Sequence, residues 1–248
     1  MRTPSPEIIK ELAPTGALRV AINFGNPVLA QRAPGSGEPQ GVSADLAREI
    51  GRLVGVPLQI ATFDAAGKVF DAAVSGVIDL MFLAIDPVRS AELLFTAPYV
   101  LIEGTYLVRQ DSAFHAIEAL DRANVRIAVG KGAAYDLFLT RALKQAALVR
   151  SDTSAGAVDL FVAEGLDAAA GVRQPLQAYA AAHPGFRVID GRFTAIEQAI
   201  AVPKGRDASR AWLHDFIEER KADGSVARSL DRSGQSEAGI APAQGGWP

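Results

Sequence analysis

The segment best suited to chemistry runs from Asp79 to Tyr99, where an apolar strand, a short loop and one arginine precede Phe-Thr-Ala-Pro-Tyr. The arginine is Arg89. Its guanidinium presents a planar fork of N–H donors that matches a carboxylate in bidentate fashion, and it stays charged at any working pH. An arginine just past a strand is by itself better explained as a surface residue, so its role depends on the elements around it.

Two further groups could meet an anion. Lys68 stands at the start of a predicted helix, where the macrodipole disfavours a cation unless an anion such as a ligand or Asp64 is its partner. A solvated lysine is an equal alternative there. Lys131 precedes Gly132, Ala133 and Ala134 at the N-terminus of another predicted helix, where backbone N–H groups attract anions.

Phe24 and Asn26 follow a predicted buried strand. Open α/β sheets bind ligands just outside the carboxyl ends of their strands, so both residues are candidate ligand contacts. Asn26 precedes a proline in a turn, and its amide can hydrogen-bond either its own backbone or a ligand. Either residue could equally serve in packing.

Strands alternate with helices along the chain, which is typical of βαβ units and mostly parallel sheets. We predict an α/β fold of two lobes, each a mostly parallel sheet flanked by helices, with residues 1–107 and 201–248 in the first lobe and 108–200 in the second. Two crossover strands, 105–109 and 198–203, join them. Ser43 is predicted to cap a helix, and residues 233–248 to form an extended tail. The other predicted strands are 18–23, 58–63, 78–83, 125–129, 166–170 and 186–189, and the predicted helices include 68–74, 157–164, 173–182 and 207–222.

Composition excludes several classes of function. The chain has 248 residues, a net charge of −3 and scattered basic residues, which argues against nucleic-acid binding. No apolar run reaches the length that spans a membrane. Three scattered histidines and no cysteine predict neither a metal site nor a disulfide, and no nucleotide-binding or hydrolase motif is present, so no cofactor is expected.

The first residues, MRTPSPEIIKELAPTG, lack the basic region and unbroken apolar stretch of a secretory leader. They predict a cytoplasmic protein if Met1 is the native start, and a periplasmic one if a leader has been removed.

Several motifs occur in a familiar order: LRVAINFG, GEPQGVSADLAREIGRLVGV, VFDAAVSGVIDL, RSAELLFTAPY, VRIAVGKG and FVAEGLDAAAG. Together they resemble the amino-acid-binding family of extracytoplasmic solute-binding proteins that serve ABC transporters, with the two-lobed type II periplasmic fold. The resemblance covers nearly the whole chain. It implies a monomer that closes on a ligand and docks to a permease, with Arg89 on the ligand carboxylate and Ala84 among the ligand contacts.

The chain departs from that family pattern in three places. Phe82–Ala84 lack the hydroxyl groups common before the signature arginine, and Gly132–Ala134 replace Gly-Thr-Thr. Where an acidic residue commonly meets the ligand ammonium, the chain has Val172 followed by Arg173, a candidate ligand contact of opposite charge. Glu103, beside a crossover, is expected to form a salt bridge, for example with Arg173.

Three functions are therefore weighed. The first is a receptor for a small carboxylate, and the second is an enzyme resembling cyclohexadienyl dehydratases, which would need a protonated carboxyl group; Glu103 and Glu197 are its candidates. The third is a cytoplasmic sensor that regulates a partner protein. A screen for binding and turnover separates the first two.

Overall fold

The computed structural model describes residues 3–244. Strands and helices alternate through most of the chain, which confirms the predicted α/β class. The helices in this part of the chain are α1 (Pro6–Leu12), α2 (Val42–Val54), α3 (Ala66–Val74), α4 (Pro87–Ser90), α5 (Ala134–Ala142), α6 (Gly156–Ala163), α7 (Arg173–Ala182), α8 (Asp207–Ala222) and α9 (Ser225–Arg232), with a 3-10 turn at Ile117–Leu120. The strands are β1 (Leu18–Asn23), β2 (Gln31–Arg32), β3 (Pro39–Gln40), β4 (Leu58–Phe63), β5 (Leu80–Ala84), β6 (Leu93–Arg109), β7 (Arg126–Gly130), β8 (Ala147–Ser151), β9 (Ala168–Val172), β10 (Phe186–Val188), β11 (Thr194–Pro203) and β12 (Gly239–Ile240).

The described residues form two compact units. The first unit holds the residues up to Phe63, Lys68–Leu101, and those from Glu197 onward. Its strands β4, β1 and β5 are parallel neighbours, and β11 lies antiparallel to β5. All five residues of β5 are buried, as expected of a strand covered on both faces.

The second unit holds Asp64–Gly67 and Ile102–Ile196. Here β8, β7 and β9 are parallel neighbours, and β6 lies antiparallel to β9 and to β10. The core of this unit includes Phe161 and Leu176, which pack with Leu107 of β6.

The strands β6 and β11 each run from one unit into the other, and they contain the predicted crossover strands 105–109 and 198–203. The lobe boundaries predicted at 107/108 and 200/201 stay predictions.

The start of α2 differs from the prediction. Ser43 is not the cap but the second helical residue, and its Oγ lies 3.2 Å from the Tyr99 hydroxyl. The capping position is Gly41, whose φ of 99° suits glycine. A Cβ on Gly41 would lie 2.8 Å from the carbonyl oxygen of Leu29, so two requirements select glycine there.

The C-terminal region is more ordered in structure than predicted. The helix α8 has the predicted bounds and buries its apolar side, including Trp212 and Phe216. The prediction of an extended tail from 233 onward is wrong for the described residues, because β12 pairs with β6 and Ala238 and Ala241 are buried. Residues 245–248 of that tail lie outside the described residues.

A buried carboxylate fixes the position of β5. Asp79 is 0% exposed and accepts hydrogen bonds from Arg19 Nε at 2.7 Å and Arg206 Nη2 at 3.0 Å. Because Arg19 lies in β1 and Arg206 precedes α8, this one side chain joins three elements. Among residues 3–244, no helix combines the length and the apolarity needed to cross a membrane.

Candidate functional site

Most of the predicted site residues of the first unit lie at one edge of its sheet. Parallel strands end at the same edge, and the residues that follow β1, β4 and β5 are named here the first edge. Phe24 and Asn26 follow β1, Lys68 lies in α3 after β4, and Ala84 and Arg89 lie at and beyond the end of β5. This is where open α/β sheets bind ligands.

Arg89 lies in α4, a short helix that replaces the predicted loop, and it is 1% exposed. Asp86 caps α4 by accepting a hydrogen bond from the Val88 N–H at 2.9 Å. Arg89 Nη1 donates to the carbonyl oxygen of Ala84 at 2.9 Å. Burial lowers the pKa of Arg89 to about 10, although the negative charge of Asp86 opposes this change. The lowered pKa means that burial disfavours the charged form of Arg89.

The turn after β1 is held by its own backbone. Asn23 Oδ1 accepts a hydrogen bond from the Gly25 N–H, and the Asn26 carbonyl accepts one from Leu29. Asn26 is 9% exposed, and its Oδ1 is a buried acceptor with no hydrogen-bond partner among residues 3–244. The guanidinium of Arg32 lies 4.2 Å from the centre of the Phe24 ring, so Phe24 has a cation–π contact that sequence reasoning missed.

The remaining predicted residues of the first edge differ in burial. Lys68 is exposed in the first turn of α3. Ala84 is 2% exposed and contributes its carbonyl oxygen to Arg89. Ala84 therefore positions the guanidinium through its backbone.

The second unit has a corresponding edge, formed by the residues that follow β7, β8 and β9 and named here the second edge. Lys131–Ala134 follow β7, and Arg173 follows β9. The structure therefore places the predicted cations of this unit at the carboxyl ends of neighbouring strands.

The backbone of the Lys131–Ala134 loop is largely committed to the protein. The Lys131 N–H donates to the Ser151 carbonyl at 2.8 Å, and the Ala133 N–H donates to the Gly130 carbonyl at 3.0 Å. The Gly132 N–H donates to Asp136 Oδ2 at 2.8 Å. The first N–H groups of α5, which begins at Ala134, have no acceptor within the helix itself.

Asp136 was not predicted from sequence. It is 3% exposed, and its carboxylate also accepts hydrogen bonds from Arg150 Nε at 3.0 and 3.2 Å. An acidic residue in the first turn of a helix is a known capping signal, so Asp136 could have been found. Its bond to Gly132, whose φ is 69°, fixes the loop before α5.

Arg173 forms the salt bridge expected of it. Its Nε donates to Glu103 Oε2 at 2.6 Å, and Arg192 Nη1 donates to Glu103 Oε1 at 2.9 Å. The hydrogen bond from Arg173 holds the pKa of Glu103 below its usual range, and Arg192 adds to the effect. The pairing of Glu103 with Arg173 had been anticipated, whereas the second arginine had not.

A comparison with family models identifies the chain. The model of the bacterial extracellular solute-binding proteins, family 3, matches residues 18–235. The chain belongs to this family. This family 3 protein is therefore a solute-binding protein, as the order of its motifs predicted. No curated protein matches its sequence significantly.

Solved structures share the fold of this family 3 protein. A mutant of ArgBP from T. maritima has a TM-score of 0.78 and 23% identity, over 91% of this chain and 98% of that one. An amino acid ABC transporter substrate-binding protein from Streptococcus pneumoniae, bound to L-arginine, has a TM-score of 0.76 and 20% identity, over 94% and 99%. The ancestral amino-acid-binding protein AncCDT-1, a precursor of cyclohexadienyl dehydratase, has a TM-score of 0.74 and 24% identity, over 90% and 98%.

Proposed function

We propose that this family 3 protein closes on a small solute that bears a carboxylate, an amino acid or a related organic anion, and delivers it to an ABC permease. The observation that carries the proposal is Arg89, a buried guanidinium at the carboxyl end of β5. Solved structures with this fold include substrate-binding proteins of amino acid ABC transporters bound to L-arginine, which supports a small solute that bears a carboxylate.

Arg89 fits a carboxylate anchor because of its electrostatics. Burial lowers its pKa to about 10 despite the nearby Asp86, so the site stabilises the charged form less well than water does. A ligand carboxylate would restore that stabilisation through charge-assisted hydrogen bonds. The hydrogen bond from Nη1 to the Ala84 carbonyl holds the guanidinium at the end of β5.

The neighbouring residues of the first edge suit complementary tasks. Asn26 offers a buried amide acceptor, and Phe24 offers a ring for an apolar part of the solute. Lys68, exposed at the start of α3, is suited to a second anionic group. On the second edge we propose contacts from Lys131, the Gly132–Ala134 segment at the start of α5, and Arg173.

The proposed partner is a membrane permease of the ABC type, because the similar structures include substrate-binding proteins of amino acid ABC transporters. The family is described as extracellular, and we propose a site of action outside the cytoplasm for this protein too.

The enzyme alternative is less well supported. A dehydratase of the kind considered needs a carboxyl group that is protonated near neutral pH, which requires a raised pKa. Glu103 has the opposite environment, because its hydrogen bonds to Arg173 and Arg192 lower its pKa. The AncCDT-1 structure is itself described as an amino-acid-binding protein.

A ligand screen tests the proposal. Thermal unfolding is measured with amino acids, dicarboxylates, 2-oxo acids, prephenate and arogenate, and each mixture that shifts the unfolding temperature is analysed by mass spectrometry. A saturable shift with the solute intact supports the receptor. A new product would establish an enzyme, and no shift with any carboxylate would refute the proposed ligand class.

A further inference from the structure

Gln198 lies level with the residue that holds Arg89. In the antiparallel pair of β5 and β11, Gln198 is opposite Ala84, and the Ile85 N–H donates to the Glu197 carbonyl at 2.9 Å. The Ala84 carbonyl is the one that accepts the hydrogen bond from Arg89 Nη1. Opposite residues in such a pair have Cα atoms about 4.5–5.5 Å apart and side chains on the same face of the sheet. The backbone of Gln198 is therefore adjacent to the proposed carboxylate anchor, and all of these residues belong to the first unit.

The side chain of Gln198 is an amide in an otherwise apolar stretch of β11. The next residues, Ala199, Ile200 and Ala201, are buried and aliphatic, and Gln198 itself is 5% exposed. Within residues 3–244 the amide of Gln198 has no hydrogen-bond partner. Its two polar atoms are not among the completely enclosed, unpaired atoms of this part of the chain, so the amide reaches open space.

Other buried polar side chains near these strands have partners. Thr96 Oγ1 donates to the Ala97 carbonyl at 2.8 Å and accepts from the Ile200 N–H at 3.2 Å, and Asp79 is bound by two arginines. Buried polar groups are normally hydrogen-bonded, because an unpaired group loses its bonds with water and gains nothing in exchange. The unpaired amide of Gln198, adjacent to a candidate ligand anchor, therefore points to a partner from outside the chain.

A second unpaired amide lies on the other side of β5. This strand stands between β1 and β11 in the sheet. Asn26 follows β1 and is 9% exposed, and its Oδ1 has no hydrogen-bond partner among the described residues. The strand that leads to Arg89 is thus flanked by two amides with unused acceptors. Because a guanidinium only donates hydrogen bonds, such acceptors complete a site for a solute that also carries N–H or O–H groups.

We infer that Gln198, which sequence reasoning did not single out, is a specificity-determining residue, and that its amide hydrogen-bonds to a polar group beside the solute carboxylate held by Arg89. The inference rests on the proposed function, because it concerns the same solute. Oε1 of the amide accepts from a hydroxyl or an ammonium group, and Nε2 donates to an oxygen. A solute that lacks such a group leaves the amide unpaired and binds less tightly.

Matched acids test the inference. Isothermal titration calorimetry on the full chain would compare propanoate with L-lactate and L-alanine, glutarate with L-2-hydroxyglutarate and L-glutamate, and 5-guanidinopentanoate with L-arginine. The acids of each set share a carbon skeleton and differ in the group beside the carboxylate. We expect the hydroxy and amino acids to bind at least about tenfold more tightly than the unsubstituted acid in every set that binds.

A variant connects this preference to Gln198. Gln198→Met removes the amide, keeps most of the side-chain length, and should reduce the preference to below about threefold. Because the amide has no partner within the described chain, the unfolding temperature without ligand should not fall, as it would if the amide served the fold. Gln59→Met, the same change at an exposed residue of β4, should alter neither quantity.

A second variant keeps the test available if Gln198→Met does not fold. Gln198→Glu retains the shape and the acceptor oxygens and adds a negative charge. It should therefore raise the affinity for L-alanine relative to L-lactate, and for L-glutamate relative to L-2-hydroxyglutarate, by at least about threefold, because the new charge attracts only the ammonium group.

The outcomes separate the two proposals. Equal affinities within every set, or ratios that neither variant changes, would overturn the inference and leave the receptor function in place. A lower unfolding temperature of Gln198→Met with unchanged ratios would assign the residue a structural role, which also overturns the inference. If no acid of any set binds, the proposed ligand class is refuted, and the inference with it.

Discussion

Replacing Arg89 with methionine should abolish most ligand affinity while sparing the fold. Methionine keeps much of the side-chain length and removes the charge, so it avoids the cavity that alanine would leave at this 1% exposed position. Two effects on stability then oppose each other.

The first effect is the loss of the hydrogen bond from Nη1 to the Ala84 carbonyl, which costs about 1.5–3 kcal/mol because the donor is charged. The second is relief of desolvation. A pKa lowered to about 10 means that burial disfavours the charged guanidinium by about 3 kcal/mol, which methionine does not incur. The free energy of unfolding should therefore change by less than about 2 kcal/mol.

Affinity should fall far more. A carboxylate left without its buried cationic partner loses about 2–5 kcal/mol, which is about 30-fold to several-thousand-fold in Kd. Calorimetric titration with the acid that gives the largest thermal shift measures this loss, and urea unfolding measures stability. The Kd of Arg89→Lys should lie between those of the unchanged protein and Arg89→Met, because lysine keeps the positive charge but lacks the planar pair of N–H donors. Arg52→Met, at an exposed side chain of α2, is the matched control.

An unchanged Kd in Arg89→Met would refute the proposal that Arg89 binds the ligand carboxylate. A stability loss above about 4 kcal/mol would instead show that the two stability terms do not offset each other and that Arg89 is chiefly structural.

Three further predictions concern charge and backbone. Ligand affinity should be constant from about pH 7 to 9 and should fall about tenfold per pH unit above about pH 10. The reason is that a carboxylate binds the protonated form of Arg89, whose pKa is about 10 before binding. A Kd that stays constant in calorimetry at rising pH would contradict this prediction. Asp79→Asn should lower the free energy of unfolding by about 2–4 kcal/mol, because it removes a buried charge shared by two arginines; Asp207→Asn, with an exposed carboxylate, should change it by less than about 0.5 kcal/mol in the same urea titration. Gly41→Ala should lower the free energy of unfolding by more than about 2 kcal/mol, because the new Cβ would lie 2.8 Å from a carbonyl oxygen. Gly55→Ala, also at positive φ but in open space, should lower it by about 1 kcal/mol. Equal losses in thermal unfolding would show that a small shift relieves the contact at Gly41.

Local patterns in the sequence predicted the regular elements well. The bounds of β1, β4 and α8 agree with the predictions, because apolar periodicity and strong turn residues define them. The start of α2 could not be predicted in this way. Ser43 has a good capping side chain, but the approach of the Leu29 carbonyl, which is distant in sequence, places glycine at the cap. The short helix α9 and strand β12 also depend on packing against distant residues.

The positions of the candidate site residues could be predicted better than the side chains that contact them. The positions of Arg89 and Arg173 beyond the carboxyl ends of strands could be predicted from the order of elements, whereas their roles in ligand binding stay predictions. Asp136 and Arg192 were missed, since their roles depend on a helix turn and on a loop that returns across β6. Such pairings arise from tertiary structure, which a single sequence does not display.

The discontinuity of the first unit has a consequence for synthesis and folding. Its sheet needs β11, whose residue Gln198 pairs with Ala84 of β5, and its helix α8 packs against α1 near the start of the chain. The ribosome synthesises β11 and α8 only after it has made the second unit, most of which is one continuous segment. The second unit can therefore condense early on local contacts, whereas Arg89 gains its buried setting late, through contacts of high sequence separation. For that interval the guanidinium of Arg89, which is 1% exposed in the folded protein, stays in contact with solvent.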